Sequence, residues 1–477
     1  MNISIPKIIQ GGMGTGVSNW RLAQAVSRLG QLGVVSGTGL DHVLVRRLQD
    51  GDPEGHIRRA LSHFPFQKMV QNILNNYFIP DGKAPDAPYR NFGPHAVSGK
   101  REPQELCIAA NFVEVFLARE GHTNPVGINY LEKIQLPHLP SIYGAMLAGV
   151  SVVIMGAGIP IEIPGILDSL VTHEAVTYPI HITTSQSGGE MIRLEFNPRD
   201  FQEDTTTTLA ALHRPDFLPI VSSDTLATML IRRATGSIQG FIIEGPLAGG
   251  HNAPPRGKLQ LSSLGEPIYG PRDIPNLEAF RAMNIPFWLA GSYGSPSKLA
   301  AALAEGASGV QVGTAFALCM ESGLTPGLRH ALIQKALDGK SEIFTDPLAS
   351  PTGFPFKVAK LEGTLSDPEL YKQRRRGCDL GFLREMYRKE DGTIGYRCPA
   401  ENVEAYLAKG GKIEDTANRK CLCNGLVSNV GYPQHFKGGG QELPLLTLGD
   451  DYVNIGQFCK HGSLDFSAAD VIRTILG

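Results

Sequence analysis

The sequence lacks an excess of charge of either sign, because its 44 Lys and Arg residues are balanced by 46 Asp and Glu residues. A net charge of −2 provides no long-range attraction for nucleic acid or for an anionic membrane. Long apolar runs are also lacking: the stretch 150–163 is interrupted by Gly and Pro and is too short for a bilayer, which requires about 20 apolar residues. We therefore expect a small-molecule substrate as the partner, with no nucleic acid and no membrane.

Cysteine is scarce, with 7 residues in a chain of 477. An odd, thinly spread set does not resemble a disulfide framework and is typical of a reducing compartment. The first residues run directly into a Gly-rich strand end, without the basic segment and apolar stretch of a signal peptide. The sequence thus predicts a cytoplasmic protein.

The chain does contain a repeated alternation of short β-rich runs and Ala/Leu-rich segments with helical spacing. The predicted strands are 7–10, 32–35, 126–129, 152–155, 178–182, 241–244, 287–290 and 309–312. Eight βα units of this kind predict an α/β protein, a TIM (β/α)8 barrel, in which the active site lies at the carboxyl ends of the strands. Gly, Asn, Thr and His residues follow these strands, as such a site requires.

Two regions depart from the even βα rhythm. Residues 41–124 contain several helical patterns and predict a helical insertion after the second strand, suited to a lid or to the interface of a homo-oligomer. Residues 346–477 are rich in Gly, Cys, Lys and Arg and form a predicted C-terminal extension. The expected organisation is therefore a barrel over 1–345 and an extension over 346–477.

Glycine-rich turns follow the last two predicted strands. The first contains Gly291, Ser292 and Gly294, and the second contains Gly313 and Thr314. In (β/α)8 barrels the corresponding loops commonly hold a phosphate through backbone N–H groups, and Gly permits the close approach of the anion. Each turn alone is equally typical of an ordinary βα connection, but the pair predicts a phosphate site.

Two further segments place small residues at strand ends. The run 11–16 allows the backbone to lie flat beneath a planar ligand, although a flexible turn has the same composition. Its spacing does not match a dinucleotide-binding Gly-x-Gly-x-x-Gly loop. The run 244–251 ends in His251, whose ring is able to transfer a proton or stabilise negative charge near neutral pH, with a purely structural role as the alternative.

Five segments together resemble one enzyme family. In chain order they read IQGGMGTGVS, GINY, GPLAGGHN, LAGSYG and GVQVGTAFA, and they fall between residues 5 and 320. The set resembles the nitronate monooxygenases, formerly called 2-nitropropane dioxygenases, and the related flavin-dependent enoyl reductases of polyketide and polyunsaturated fatty acid synthesis. Proteins of this family are FMN-binding TIM barrels, so the resemblance implies an FMN cofactor whose phosphate is held by the two late turns.

The resemblance also implies roles for individual residues. His251 is the implied catalytic residue. Contacts with FMN are implied for Gly12, Met13, Gly14, Asn129, Glu244, Gly249, Gly250, Gly291, Ser292, Gly294, Gly313 and Thr314. Glu244 stands where family members often carry Gln, which leaves its contact with the flavin open, and Leu247 replaces a common acidic residue. We therefore expect a reshaped substrate pocket.

Two reactions fit the implied site. In the first, an alkyl nitronate is oxidised with molecular oxygen; in the second, NAD(P)H reduces the flavin, which passes hydride to an enoyl thioester. His181 and Thr183, at the end of the fifth predicted strand, would contact either substrate, although a buried structural His181 is at least as typical. A flavoprotein interaction module with little activity of its own is a third reading, because fold alone does not decide function.

The extension contains four cysteines that are numerous enough to hold zinc or an iron–sulfur cluster. They are Cys378, Cys398, Cys421 and Cys423. Their spacing matches no standard finger or ferredoxin pattern, and a single residue separates Cys421 from Cys423, an awkward arrangement for one tetrahedral ion. The sequence therefore favours buried free thiols, with a metal site as the less favoured alternative.

Overall fold

The computed structural model describes residues 5–184, 189–203, 209–460 and 463–477. The strands are β1 (Ile8–Gln10), β2 (Gly33–Ser36), β3 (Val126–Leu131), β4 (Val152–Gly156), β5 (Val176–Ile182), β6 (Glu190–Phe196), β7 (Asp216–Val221), β8 (Phe241–Glu244), β9 (Phe287–Ala290), β10 (Gly309–Val312), β11 (Ile343–Asp346), β12 (Phe356–Ala359), β13 (Glu385–Arg388) and β14 (Ile394–Arg397).

The α-helices are α1 (Trp20–Arg28), α2 (Leu40–Gln49), α3 (His56–Ser62), α4 (Gln67–Tyr77), α5 (Arg101–Arg119), α6 (His138–Leu147), α7 (Ile163–Leu170), α8 (Asp224–Arg233), α9 (Leu277–Ala282), α10 (Pro296–Ala304), α11 (Thr314–Ala317), α12 (Pro326–Leu337), α13 (Pro368–Gln373), α14 (Val403–Ala408), α15 (Leu422–Ser428) and α16 (Ala468–Leu476). Short 3-10 helices span Pro198–Phe201, Pro271–Asp273, Ile413–Thr416 and Asp450–Phe458. None of the helices in these described ranges is long and apolar enough to cross a membrane.

Eight parallel strands form a closed ring in the order β1, β10, β9, β8, β7, β4, β3, β2. The ring closes between β1 and β2, where the Gln10 N–H donates to the Leu32 carbonyl over 2.9 Å and the Leu32 N–H donates to the Ile8 carbonyl over 3.1 Å. Val- and Ile-rich strands buried on both faces are typical of such a sheet, because helices cover its outer face. The chain is a TIM (β/α)8 barrel, which confirms the predicted fold class.

Apolar side chains fill the inside of the ring and the layer between the strands and the helices. Ile9, Val34, Ile154, Ile242 and Trp288 belong to the small cluster within the barrel. Two larger clusters join the outer faces of the strands to the surrounding helices. The barrel is therefore a packed core, and the space for a ligand lies at its end.

The fifth barrel strand differs from the prediction. The run 178–182 lies within β5, which pairs with β6 in an antiparallel ribbon outside the barrel, whereas β7 pairs with β4 and β8 and completes the ring. Pro219 in β7 has no N–H to donate, and Pro normally argues against a central strand. The local pattern of β5 is that of a real strand, but tertiary pairing decides which sheet a strand joins.

The predicted helical insertion after β2 consists of α2, α3, α4 and α5. The long helix α5 packs on α6 at close range: a Cβ added to Gly144 would lie 2.1 Å from the Ile108 carbonyl oxygen. Residues such as Phe112 and Val113 on α5 join the same core as α3 and α4. The insertion is therefore fixed to one side of the barrel.

The C-terminal region returns to the barrel after leaving it. The predicted boundary at 345 falls within β11, which pairs antiparallel with β12. The last helix, α16, packs against α1 and α10, and its Ile472 and Ile475 share a core with Ile8 and Val310 of the barrel. This packing holds the intervening segments close to the carboxyl ends of the barrel strands.

Candidate active site

Three adjoining cavities lie at the carboxyl ends of the barrel strands. The inner cavity, of about 150 Å³, is lined by the turns at 291–294 and 313–314 and by C-terminal residues between 447 and 451. The middle cavity, of about 190 Å³, is lined by Asn129 and Gly250, among others. The two turns that the sequence predicts to hold a phosphate therefore line the same cavity.

The outer cavity is the largest, at about 750 Å³, and reaches from the barrel to the β5–β6 ribbon. Tyr178 and His181 of β5 line it, together with Arg233 at the end of α8. Glu244 lines all three cavities, and His251 lines the middle and outer ones. A ligand that extends from the middle cavity to the outer one would therefore lie beside both residues.

The loop after β1 forms one wall of the inner and middle cavities. A Cβ on Gly12 would lie 2.3 Å from the Asn129 Cβ, so only Gly fits between this loop and β3. The Asn129 Nδ2 donates to the Gly12 carbonyl over 3.3 Å, which leaves its buried Oδ1 atom without a partner among the described residues. Met13 and Gly14 line the inner cavity beside Gly12. These four residues, which the sequence predicts to contact one ligand, therefore line two adjoining cavities.

The loop after β8 contacts the C-terminal region. The Gly250 N–H donates to the Thr447 hydroxyl over 2.7 Å. A Cβ on Gly249 would lie 2.8 Å from the carbonyl carbon of Leu448, so the two loops touch backbone to backbone. Both glycines still line the cavities, but their small size also serves this contact.

Glu244 and His251 are both neutral at neutral pH. Burial raises the pKa of Glu244 to about 8 and lowers the pKa of His251 to about 4. A protonated carboxyl offers one O–H donor and one carbonyl acceptor, much as the amide of Gln offers a donor and an acceptor. The presence of Glu244 where related enzymes often carry Gln is therefore a smaller chemical change than the sequence suggests.

The phosphate turns already contact an acidic residue of this chain. The Asp451 N–H donates to the Ser292 hydroxyl over 3.1 Å, and the Gly449 N–H donates to the Thr314 hydroxyl over 2.9 Å. The Asp451 carboxyl lies beside Thr314 and the Gly294 backbone, and burial raises its pKa. The inner cavity is thus lined by a carboxyl group in addition to the N–H groups that the sequence predicts.

Sequence reasoning missed Asp451, Thr447, Gln311 and Ser350. Asp451, Thr447 and Ser350 follow no recognisable strand pattern, and their contacts with the barrel loops span 99 or more residues of sequence. Gln311 lies within β10, where alternation along the strand directs its side chain toward the cavities. That periodicity is the one signal that could have identified it.

The two predicted substrate residues of β5 separate. His181 lines the outer cavity. Thr183 pairs with Tyr387 through a backbone bridge, and its hydroxyl donates to the Glu385 carboxylate over 2.6 Å. Because β5 lies outside the barrel, neither residue stands at the end of a barrel strand as expected.

Comparison with known sequences bears on this site. Residues 178–345, about a third of the chain, match the family model described as nitronate monooxygenase. The resemblance to the nitronate monooxygenases is confirmed. The match to the nitronate monooxygenase model includes Glu244, His251 and both phosphate turns, whereas Gly12 and Asn129 lie before it.

One curated relative is similar over a shorter stretch. It is the (3aS,4S,5R,7aS)-5-hydroxy-7a-methyl-1-oxo-octahydro-1H-indene-4-carboxyl-CoA dehydrogenase of Mycobacterium tuberculosis, 30% identical over 129 residues. The alignment covers 27% of this chain and 32% of the relative, so the chain spans about a third of that protein's length.

Three solved structures have a similar architecture. FabK from Thermotoga maritima gives a TM-score of 0.46 at 16% identity, covering 99% of this chain and 91% of that chain. Nitroalkane oxidase from Streptomyces ansochromogenes gives 0.45 at 15%, covering 98% and 94%. The enoyl reductase domain of MlnA from Bacillus amyloliquefaciens gives 0.43 at 13%, covering 98% and 93%. TM-scores of this size do not indicate a shared substrate.

Proposed function

We propose that this chain is a flavin-dependent oxidoreductase that binds FMN and oxidises alkyl nitronates with molecular oxygen. The family match over residues 178–345 supports the reaction class. One observation of the site carries the proposal of a bound cofactor: the Asn129 Oδ1 and Gln311 Oε1 atoms are buried at the cavities and have no partner among the described residues. Buried polar atoms are normally hydrogen-bonded, so a polar ligand is expected between them.

The residues around the inner and middle cavities fit a flavin. Gly12 and Gly14 would leave room for a flat ring, and the unpartnered amide oxygens of Asn129 and Gln311 would accept hydrogen bonds from a ring N–H or from ribityl hydroxyls. Glu244, protonated at neutral pH, adds an O–H donor at the same wall. The ring would therefore be held by hydrogen bonds from both sides of the barrel end.

The inner cavity fits the phosphate group of FMN on one condition, which concerns the charge of Asp451. Backbone N–H groups of the turns at 291–294 and 313–314 would hold the phosphate, with Ser292 and Thr314 beside it. The Asp451 carboxyl in the same space repels a phosphate dianion when ionised, but it donates a hydrogen bond when protonated, and its raised pKa favours that form. FMN binding is therefore expected to depend on the charge of Asp451.

When bound, the flavin supplies the two-electron acceptor for the oxidation. The neutral His251 ring is a poor base at a pKa of about 4, so its role is to donate a hydrogen bond to the negatively charged nitronate. In the tautomer in which the Ser350 hydroxyl donates to Nε2, His251 carries its proton on Nδ1 and donates from that atom. The C-terminal loop 447–451, packed on Gly249 and Gly250, excludes water from the same side.

Anaerobic titration of the flavin tests the proposal. The purified protein is expected to be yellow, to release FMN on denaturation, and to lose its flavin absorbance on addition of propyl-2-nitronate but not of NADH or NADPH. A colourless protein that cannot be reconstituted with FMN would overturn the flavin assignment, and bleaching by NADPH alone would overturn the nitronate assignment.

A second candidate is reduction of an enoyl thioester with NAD(P)H, and two observations favour it. The outer cavity, at about 750 Å³, is much larger than a small nitronate requires. The curated relative is named for a CoA-thioester substrate. Lys133 and Arg233 at the outer cavity would pair with the phosphates of a CoA or carrier group. Bleaching by NADPH followed by reoxidation with crotonyl-CoA would select this reaction.

The interaction module with little activity of its own remains the third reading. It predicts that the protein binds FMN but that neither nitronate nor NAD(P)H changes the absorbance of the flavin. The same titration therefore separates all three proposals.

A further inference from the structure

The four cysteines of the C-terminal region, which we call the thiol cluster, come together from three separate segments. Cys378 follows α13, Cys398 follows β14, and Cys421 and Cys423 stand at the start of α15. Cys378 lies close enough to Cys421, Cys398 and Cys423 for the four thiols to influence one another's pKa. Cys398, Cys421 and Cys423 also share one packed group with Ala400. Segments that are far apart in sequence thus bring four cysteines into one region of the structure.

Two of the four sulfurs have an N–H donor beside them. The Gly381 N–H donates to the Cys378 Sγ over 3.3 Å, and Gly381 has a positive φ of 71° that turns the chain around that sulfur. The Asn424 Nδ2 lies 3.9 Å from the Cys421 Sγ.

Burial raises the pKa of Cys398 and Cys423, and the nearby backbone of Ala400 at Cys398, and of Phe382 and Leu383 at Cys423, partly opposes that rise. N–H donors to sulfur stabilise thiolates and are the usual surroundings of thiolate metal ligands.

Positive charge lies against the same cluster. Arg384 interacts electrostatically with Cys378 and Cys398, and its guanidinium donates to the Gly381 carbonyl over 2.8 Å. Arg374 interacts with Cys421, although its buried guanidinium is also paired with Glu442. A metal centre held by four thiolates carries net negative charge, which these guanidinium groups offset.

The spacing of the sulfurs distinguishes between two kinds of centre. One tetrahedral zinc with Zn–S bonds of about 2.3 Å holds its sulfurs about 3.8 Å apart. Among the described residues, the group that places three ligand atoms within 4.8 Å of one another is Asp41, His95 and Cys107, and no three members of the thiol cluster do so. A wider set suits a polynuclear cluster, in which each cysteine binds a different iron.

We propose that Cys378, Cys398, Cys421 and Cys423 are the ligands of an iron–sulfur cluster. Cys423 lines the middle cavity together with Asn129 and His251, so the cluster borders the space assigned above to the flavin. The location beside a cofactor rests on the proposed function, but the ligand set does not, because it follows from the thiols and their donors alone.

Metal analysis of the full chain, purified without oxygen from iron-supplemented cells, tests the assignment. We expect about four iron and four acid-labile sulfide per chain, and a paramagnetic signal after reduction with dithionite. Iron and sulfide are counted on the protein as purified, and its flavin content is measured separately on the same sample, so that failure of the flavin proposal and failure of this one are distinguished.

Single substitutions supply the controls. Cys398→Ser and Cys423→Ser should lose most of the iron and sulfide, whereas Cys459→Ser, outside the thiol cluster, should keep both. Cys378 is exposed, so Cys378→Ser gives a test in a chain whose core is unchanged. A protein that contains neither iron nor zinc after this preparation would overturn the site, and one equivalent of zinc in place of iron and sulfide would overturn the assignment of an iron–sulfur cluster.

Discussion

The Nε2 atom of His251 lies 2.7 Å from the hydroxyl oxygen of Ser350, in the loop between β11 and β12. The ring also packs edge-on against Phe356 at a centroid distance of 5.0 Å, and a backbone bridge joins the same two residues. Contacts from one C-terminal hairpin therefore orient a side chain that belongs to the loop after β8. The orientation of His251 therefore depends on the C-terminal extension, which the sequence predicts to be separate from the barrel.

Replacing Ser350 tests this dependence. Ser350→Ala removes the hydrogen bond to Nε2, and a bond of this kind is worth about 1 kcal/mol, so we expect kcat to fall about fivefold to tenfold. The Kd of the flavin should not change, and Ser350→Thr should restore part of the rate. Ser463→Ala, on the exposed surface, is the control. An unchanged kcat in Ser350→Ala would show that the hydroxyl does not position the ring.

His251→Ala should keep the flavin bound and slow turnover about a hundredfold, because one preorganised donor to a developing or existing anion is lost. Since the pKa of His251 is about 4, the kcat of the native enzyme should show no titration of this group between pH 5 and 8. His330→Ala, which removes a surface hydrogen-bond contact with Asp465, is the matched control. A rate equal to that of the native chain would assign the role to another residue.

Glu244 should make the folded protein less stable as pH rises. Its pKa is raised from 4.5 to about 8, so between these values the folded state binds a proton that the unfolded state has released. The free energy of unfolding should therefore fall from about pH 4.5 to about pH 8 and then stay level. Glu244→Gln should lose this component, which thermal unfolding of both proteins across pH 5 to 9 would measure. Parallel Tm profiles for the two proteins would contradict the raised pKa.

Asp451→Asn should increase the affinity for FMN relative to riboflavin by about tenfold or more at pH 8. The substitution removes a negative charge beside the phosphate turns, and riboflavin, which has no phosphate, is the internal control. In the native chain the affinity for FMN should rise as pH falls, because protonation of Asp451 removes the same charge. Fluorescence quenching of both flavins gives the two Kd values. An equal ratio in both proteins would mean that the phosphate does not approach Asp451.

Much of the fold could be predicted because the signal is local. Val- and Ile-rich runs ending in Gly or Asn identify seven of the eight barrel strands, and Ala/Leu periodicity identifies the insertion helices. The exception, β7, contains Pro219, which has no N–H to donate and therefore argues against a central strand. The sequence predicts β5 as a barrel strand, but β5 pairs with β6 outside the barrel. The residues of a strand do not by themselves specify which strand it pairs with.

The sequence by itself determined the barrel and the glycine turns that line its carboxyl end, because strand and turn preferences act between residues that are near in the chain. Only the tertiary structure decided that Ser350 orients His251, that Asp451 lies against the phosphate turns, and that Cys378, Cys398, Cys421 and Cys423 meet. These contacts join residues that are distant in sequence, and burial, which sets the pKa of Glu244 and of His251, exists only once the chain has packed.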